Sequence, residues 1–206
     1  MEISDTMYWI LFAIPSILIA STIHEYAHGY LAYKMGDPTA KAAGRLTLNP
    51  LAHIDPLGAL AMVIFRFGWS KPVPINEYNF QNRELGTAIT ALAGPISNIL
   101  VVGLCALINW IFNIELTTIV GTLLLTFAII NLALAFFNLI PIPPLDGHKI
   151  VRAILPRKLR YYWEQLEKFQ ILLIVILILP ITSSGSLASV YMSFAITRSL
   201  LLLGFL

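Results

Sequence analysis

The segment His24-Glu25-Tyr26-Ala27-His28 has the residue types and the spacing of a zinc-binding helix. Histidines four positions apart lie one turn apart on the same face of a helix, where two imidazoles can hold a single zinc ion. Glu25 lies beside them, where a carboxylate can accept a proton from an attacking water molecule. The plainer interpretation is a helix end that carries two interfacial histidines. The motif itself favours a metal site with a general base.

A long uncharged segment precedes this motif and indicates that the motif lies within a membrane. Met7–Ile23 contains no charged residue, so it is apolar enough to enter a lipid bilayer. Ionisable side chains are costly at membrane depth, and a cluster of three at the end of an apolar helix therefore indicates a functional site.

The composition agrees with a membrane protein. The 206 residues are 58% hydrophobic and only 12% charged, with a mean hydropathy of +0.80, whereas soluble domains carry about twice that charge. The net charge of +2, without a long basic run, gives no argument for nucleic-acid binding. Cys105 is the only cysteine, which excludes a disulfide framework and a cysteine-based zinc cluster. The acidic N-terminus predicts a retained first helix rather than a secretory signal.

Apolar segments along the chain predict an all-α polytopic membrane protein that forms one domain, 1–206. Five segments are long enough to span, and a sixth, 57–69, has only thirteen residues including Arg66 and is better interpreted as re-entrant or partly buried. We therefore expect five to six membrane segments. The five long ones are Met7–Tyr33, Leu85–Phe112, Leu116–Ile140, Phe169–Ile181 together with the aromatic turn that precedes it, and Leu187–Leu206.

The distribution of basic residues predicts the orientation. Lys34, Lys41 and Arg45 follow the first predicted span, and a second basic group at 149–160 follows the third. The positive-inside rule places both groups on the cytoplasmic side. The two assignments agree only if 57–69 does not cross the membrane. We therefore expect a site near the cytoplasmic face of a cell membrane.

Two histidines and one water do not complete a tetrahedral zinc site, so a third protein ligand is needed. His53, Asp55, Asp146 and His148 all lie in or near loops on the predicted cytoplasmic side. Asp146 follows three prolines and precedes a glycine, a setting typical of broken backbone around a wet cavity. The same segment would equally suit an ordinary helix-ending loop with a capping aspartate.

Two motifs together resemble those of the site-2 protease family of intramembrane zinc metalloproteases. The chain matches H-E-x-x-H at 24–28 and N-x-x-P-x-P-x-L-D-G at 138–147, and Gly94-Pro95-Ile96-Ser97-Asn98 resembles the G-x-x-x-N element of the family. The resemblance covers the core, 7–155, and leaves the additional C-terminal segments, 161–206, outside it. It implies one zinc per chain with ligands His24, His28 and Asp146, Glu25 as general base, and Asn138 as a group that positions substrate or stabilises the oxyanion.

The implied function is hydrolysis of peptide bonds within or near transmembrane segments of membrane-protein substrates in the lipid bilayer. A zinc or divalent metal transporter is an alternative, although a transport path needs ligands through the membrane depth. A non-catalytic membrane scaffold is another, although it would have no use for Glu25. A third is a prenyl-protein peptidase, which shares the histidine motif but not the motif at 138–147.

A substrate helix must unwind before hydrolysis, and its exposed backbone then needs hydrogen-bond partners. Arg45–Asn49 alternates as a strand does, and Pro72-Val73-Pro74-Ile75 is extended by its prolines. We therefore expect a small β-hairpin or an extended membrane-associated loop that offers an edge to substrate. Val73, Pro74 and Asn98 are the candidate substrate-binding residues. A surface loop and, for Asn98, plain helix packing are the alternatives.

Overall fold

The computed structural model describes residues 4–65, 68–181, 183 and 185–205, so Arg66 lies outside the described part. Its regular structure is helical. Shorter helical turns cover Thr39–Ala42, Pro50–His53, Glu77–Asn79 and Gln165–Phe169. The main helices are α1 (Asp5–Lys34, with a π-helical turn at Trp9–Ala13), α2 (Pro56–Phe65), α3 (Arg83–Phe112), α4 (Ile119–Asn138), α5 (Asp146–Ile154), α6 (Arg157–Glu164), α7 (Gln170–Ile178) and α8 (Leu187–Leu202).

Among the residues that the structure describes, three helices are long and apolar enough to cross a membrane. α1 and α3 have 30 residues each and α4 has 20, and a rise of about 1.5 Å per residue makes even α4 about 30 Å long. Their outward faces carry exposed large apolar side chains such as Leu100, Trp110 and Ile119, as expected of surfaces that face lipid. The chain is therefore a membrane protein. α7 and α8, with 9 and 16 residues, are shorter than a full span.

α3 lies at the centre of the bundle and contacts α1, α4 and α5. Small residues are buried where these helices meet, among them Ala20, Ala91 and Ala135. Small side chains let helix backbones approach closely in a membrane. A cluster of larger buried side chains packs α3 and α4 against α8 and the residues that follow it: Val102, Cys105, Leu132, Leu200 and Phe205.

α2 leaves the bundle and the chain returns to the place where it left. Ile54 and Ser70, which flank this excursion, form an antiparallel bridge. Beside them the Lys71 N–H donates to the His53 carbonyl at 2.9 Å. Because both ends of the excursion are adjacent, the chain leaves the bundle and rejoins it at the same place.

The predicted β-hairpin is wrong. The described residues form no strand, and the Ile54–Ser70 pair is an isolated bridge. Pro72 and Pro74 lack the N–H that a ladder requires, and the Val73 N–H between them donates to the carboxylate of Glu25 instead. Residues 71–76 are irregular, which agrees with the other expectation, an extended loop.

Candidate metal centre

His24 and His28 lie one turn apart on α1, and Asp146 meets them from the first turn of α5. The Asp146 Oδ2 atom is 3.3 Å from His24 Nε2 and 3.0 Å from His28 Nε2, and the two Nε2 atoms are 3.0 Å apart. All three residues are buried, with exposed fractions of 4 to 6%. They form a group of ligating atoms within 4.8 Å of one another.

The segment 139–145 brings Asp146 to the histidines. It leads from the end of α4 at Asn138 to the start of α5 at Asp146, and three prolines prevent α4 from continuing. Gly147 then packs against the residues that directly follow α4. A Cβ at Gly147 would lie 2.3 Å from the Leu139 carbonyl oxygen. Only glycine fits this approach. The carboxylate is therefore fixed at the turn between a spanning helix and a short one.

A chain of hydrogen bonds fixes the tautomer of His24. Asn98 is completely buried, and its Nδ2 atom donates to the Ala20 carbonyl at 3.2 Å and to Asn131 Oδ1 at 2.8 Å. Its Oδ1 atom, 2.6 Å from His24 Nδ1, is therefore an acceptor. A proton on Nδ1 satisfies this contact and leaves Nε2 of His24 with a free lone pair.

The tautomer of His28 is fixed in the same way. The Thr90 carbonyl oxygen lies 2.6 Å from His28 Nδ1, and since a carbonyl only accepts, Nδ1 carries the proton. Both Nε2 atoms and the Asp146 carboxylate thus turn lone pairs towards one another.

Three acceptors in such proximity repel one another unless a cation lies between them. Tetrahedral zinc with bonds of about 2.1 Å separates its ligand atoms by roughly 3.4 Å, close to the distances observed here. Two imidazoles and a carboxylate are also a catalytic type of zinc donor set, which keeps a fourth position open. The residues present therefore fit a zinc ion.

Gly94 of α3 makes room for the two rings. A Cβ at this position would lie 2.4 Å from His28 Nε2 and 2.5 Å from His24 Nε2. The glycine of the G-x-x-x-N element therefore lets α3 approach the ligand atoms, and Asn98, one turn later, supports His24.

Glu25 is held by the loop that returns from α2. Its Oε1 atom accepts from the Ser70 hydroxyl at 2.9 Å and its Oε2 atom from the Val73 N–H at 2.8 Å. Both carboxylate oxygens thus have a defined donor. The loop positions the side chain that the sequence predicts as a general base.

The rival ligands have other partners. His53 Nε2 is 2.9 Å from the Thr47 carbonyl, and the Asp55 carboxylate accepts from the Gly58 N–H at 2.8 Å at the start of α2. His148 stacks on Trp163, with ring centroids 5.3 Å apart. Burial lowers the pKa of His148 below its ordinary value, which favours the neutral ring. The structure brings none of the three into the His24–His28–Asp146 group.

The remaining candidates lie around this group. Asn138 donates its Nδ2 hydrogen to the Leu134 carbonyl of its own helix at 2.9 Å. Val73 is buried, with its N–H on Glu25. Asn98 lies behind His24, where its contacts are to the bundle.

Sequence reasoning missed four contributors to the site: the Thr90 carbonyl, Ser70, Lys149 and the link from Asn98 to Asn131. The link had a signal, because Asn98 and Asn131 are both polar residues within apolar spans. Lys149 had one as well, because it lies three residues after Asp146 on the same helix. The Thr90 carbonyl and Ser70 depend on contacts between distant segments.

The fold and this group of side chains define a helical membrane protein with a buried histidine–carboxylate group that could hold a metal ion. Residues 104–181 match the sequence profile of peptidase family M50. The chain is also 38% identical over 182 residues to YwhC of Bacillus subtilis, which is named as a candidate zinc metalloprotease; the match covers 85% of this chain and 82% of that protein. The chain therefore belongs to peptidase family M50, the site-2 protease family, and is a zinc metalloprotease.

More distant relatives carry similar names. Rip2 of Mycolicibacterium smegmatis, also named as a candidate zinc metalloprotease, is 25% identical over 175 residues, covering 82% of this chain and 67% of the relative. The zinc metalloprotease MJ0392 of Methanocaldococcus jannaschii is 27% identical over 159 residues, which cover 77% of this chain but 38% of that longer protein. No solved structure matches the chain.

Proposed function

We propose that this protein hydrolyses peptide bonds within or near transmembrane segments of membrane proteins, with one zinc ion held by His24, His28 and Asp146 and with Glu25 as general base. One observation carries the proposal: the ligating atoms of two histidines and an aspartate meet, buried, among the apolar helices α1, α3 and α4. A soluble peptide has no access to such a depth without entering the membrane.

The residues around the group have defined tasks. Zinc, when bound, polarises the scissile carbonyl and lowers the pKa of water towards neutrality. Glu25 accepts the proton of the attacking water and delivers it to the amine that leaves. Ser70 and the Val73 N–H hold both Glu25 oxygens during this transfer. Asn98 and the Thr90 carbonyl keep the two rings in the tautomers that ligation requires.

The loop 71–76 is the segment that suits an unwound substrate. It is irregular and lies beside Glu25, and Val73 and Ile75 line the cavity next to His28. Val73 and Pro74 are therefore retained as substrate contacts. The Val73 N–H is already used, so the loop would bind substrate through its carbonyl oxygens and side chains. Asn138 would have to release the Leu134 carbonyl before its amide could act on substrate.

The membrane arrangement follows from the same helices. We place α1, α3 and α4 across the cell membrane, the excursion through α2 within one leaflet, and the metal centre towards the cytoplasm, where Lys41 and Lys158 lie. The apolar helices α7 and α8 complete a single domain of five spans in this proposal, entering the bilayer beside α4.

The first experiment measures zinc content and cleavage together. Purified wild type is expected to hold one zinc per chain and to cut a single-span peptide with glycine and asparagine at its centre. Glu25→Gln is expected to keep the zinc and lose cleavage by about 10²-fold or more, whereas Asp146→Ala is expected to lose the zinc. Glu115→Gln, at the opposite end of α3, is the matched control and should match wild type.

Two results would contradict the proposal. Full zinc content in Asp146→Ala would remove Asp146 from the ligand set. Undiminished cleavage by Glu25→Gln would remove the general base.

A further inference from the structure

Lys149 is a cation beside the metal ligands to which the sequence motifs assign no role. It lies one turn after Asp146 on α5, and its Nζ atom is 3.2 Å from Asp146 Oδ1. The other carboxylate oxygen, Oδ2, faces His24 and His28. The Lys149 side chain is 44% exposed, so its ammonium group is anchored next to the centre without being enclosed.

The exposed part of Lys149 faces a cavity. This cavity has a volume of about 180 Å³ and is lined by His28, Lys149, Thr87 and Thr90 together with apolar side chains that include Val73 and Phe80. At about 30 Å³ for each water molecule, the space suits a few waters or a peptide group. It begins at one of the two imidazole ligands, where a substrate must lie during hydrolysis.

Two hydroxyl groups in the wall of this cavity are unused. Thr87 and Thr90 are only 4% and 3% exposed, and neither Oγ1 atom has a hydrogen-bond partner among the described residues. A buried hydroxyl without a partner costs free energy. Unused polar groups beside a cation indicate a wall built for a polar ligand.

The acidic group of the cavity does not neutralise Lys149. Glu77 also lines the cavity, but its carboxylate is paired with Arg152 and with Arg83. The direct carboxylate partner of Lys149 in the described structure is Asp146, whose charge a bound zinc ion would share. The cavity therefore has a positive end next to His28.

We infer that Lys149 is a catalytic residue that binds the substrate carbonyl oxygen as it becomes negative and afterwards the carboxylate of the product. This inference rests on the proposed function. Asn138, the group that the motif suggests for this role, donates its amide to Leu134. Lys149 is the alternative donor at the centre, and a charged donor is stronger than a neutral amide.

The step balances without any further reactant. The water oxygen adds to the carbonyl carbon while its proton passes to Glu25, and the π electron pair moves to the carbonyl oxygen, which then faces Lys149. The carbon–nitrogen bond breaks, its electron pair stays on nitrogen, and nitrogen takes the proton from Glu25. As this bond breaks, the electron pair on the former carbonyl oxygen re-forms the C=O bond. One peptide bond and one water thus give a carboxylic acid and an amine, and the remaining proton of the water then passes from the acid to the amine. The products are a carboxylate and an ammonium group, and Lys149 remains next to the carboxylate.

The test compares Lys149→Met and Lys149→Arg with Lys158→Met, a control at an exposed lysine on α6. For Lys149→Met we expect one zinc per chain, a KM close to that of wild type, and a kcat lower by about 10²-fold, the usual effect of losing an oxyanion donor. Lys149→Arg should recover part of the loss because it keeps the charge. Lys158→Met should match wild type.

A binding measurement adds a readout that does not depend on turnover. The probe is a peptide that matches the N-terminal product of the single-span substrate, prepared with a free carboxylate and with a C-terminal amide. Titration calorimetry on the zinc-loaded enzyme should show about 10-fold tighter binding of the carboxylate form. Lys149→Met should abolish this preference, and Lys149→Arg should keep it.

The failures can be told apart. If Lys149→Met loses zinc, or if it retains the preference for the carboxylate, Lys149 only supports Asp146 and the inference is overturned. A wild type that holds no zinc or cuts no transmembrane peptide would instead overturn the proposed function.

Discussion

Gly94 is the residue at which α3 meets the two histidine rings. An added Cβ would lie within 2.5 Å of Nε2 on both, and neither ring can withdraw, because Asn98 holds His24 and Thr90 holds His28. We predict that Gly94→Ala weakens zinc binding by at least about 10-fold, as loss of ligand support does. A zinc-competition titration measures the change.

Gly103→Ala is the matched control for this prediction. It lies on the same helix, and nothing lies within 4 Å of its added Cβ. Alanine is the better helix former by about 1 kcal/mol, so this variant should keep its zinc and be no less stable than wild type. Equal zinc affinity in the two variants would show that the rings do not need the space at Gly94.

The residues of the metal centre differ in how far the sequence predicts them. His24 and His28 follow from helical spacing alone, because four residues make one turn. Asp146 is placed by its resemblance to a motif, since its setting also suits a capping residue. The contacts of Asn98 with His24 and of Ser70 with Glu25 join residues 74 and 45 positions apart. No local sequence pattern predicts contacts between residues so far apart in the chain.

At the scale of elements, the loop 71–76 acts on Glu25 through one side chain and one backbone group. Val73→Pro removes the N–H that donates to Oε2, and Ser70→Ala removes the hydroxyl that donates to Oε1. We predict that each variant keeps one zinc and loses kcat by about 10-fold, because a charged acceptor loses one donor. Zinc analysis and single-turnover cleavage measure the two effects.

Ser70→Thr is the control, because it keeps the hydroxyl and should recover most of the activity. Val73→Pro by itself does not test whether the loop pairs with substrate, since the substitution also disturbs the general base. Wild-type kcat in both Ser70→Ala and Val73→Pro would show that Glu25 needs no support from the loop.

Asp37 joins the end of α1 to the segment before α3. It is completely buried and accepts from the Asn76 N–H at 2.7 Å, from Asn79 Nδ2 at 2.7 Å, and from both the N–H and the hydroxyl of Thr39. Burial acts to raise the pKa of Asp37, but the hydrogen bonds outweigh it and hold the pKa below its ordinary value. The folded state therefore prefers the ionised carboxylate.

The sign of the pH dependence follows. A depressed pKa stabilises the fold above the unfolded pKa of about 3.9, and this contribution is lost as the pH falls through the lower, folded value. We predict that Asp37→Asn is less stable at neutral pH by about 1–3 kcal/mol, because an amide hydrogen replaces an acceptor. The difference from wild type should shrink below about pH 4.

Thermal unfolding in detergent micelles, followed by tryptophan fluorescence, measures this difference. Chelator in all samples removes the separate effect of pH on zinc binding. Stability curves of wild type and Asp37→Asn that stay parallel down to the lowest pH would exclude Asp37 as the group responsible.

The three long helices were predictable and the contacts of the loop 71–76 were not, for one physical reason. In lipid a segment must satisfy its own backbone, so an apolar run such as Met7–Tyr33 becomes a helix, observed as Asp5–Lys34. The loop 71–76 has no such obligation, because its donors find side chains of other elements. Alternation in Arg45–Asn49 therefore suggested a strand that has no partner to pair with.

At the scale of the whole molecule, the metal centre fixes which helix ends lie together. His28 contacts Thr90 near the start of α3, and Asp146 follows the end of α4. The end of α1, the start of α3 and the end of α4 therefore share one side of the protein. Because α3 is 30 residues long, the turn that carries Glu115 lies about 45 Å from the start of α3, measured along the helix axis.

This geometry predicts the accessibility of single cysteines placed in a Cys105→Ala background. Lys41→Cys and Lys158→Cys should react with a membrane-impermeant maleimide only in inverted vesicles, because the basic residues on their side favour the cytoplasm. Glu115→Cys should react only in intact cells. All three positions are exposed, so a lack of reaction reports the membrane rather than burial.

If Lys41→Cys and Lys158→Cys reacted from opposite sides, the excursion through α2 would have to cross the bilayer. Asp146 could then not lie on the same side as His28, and the metal centre itself would be contradicted.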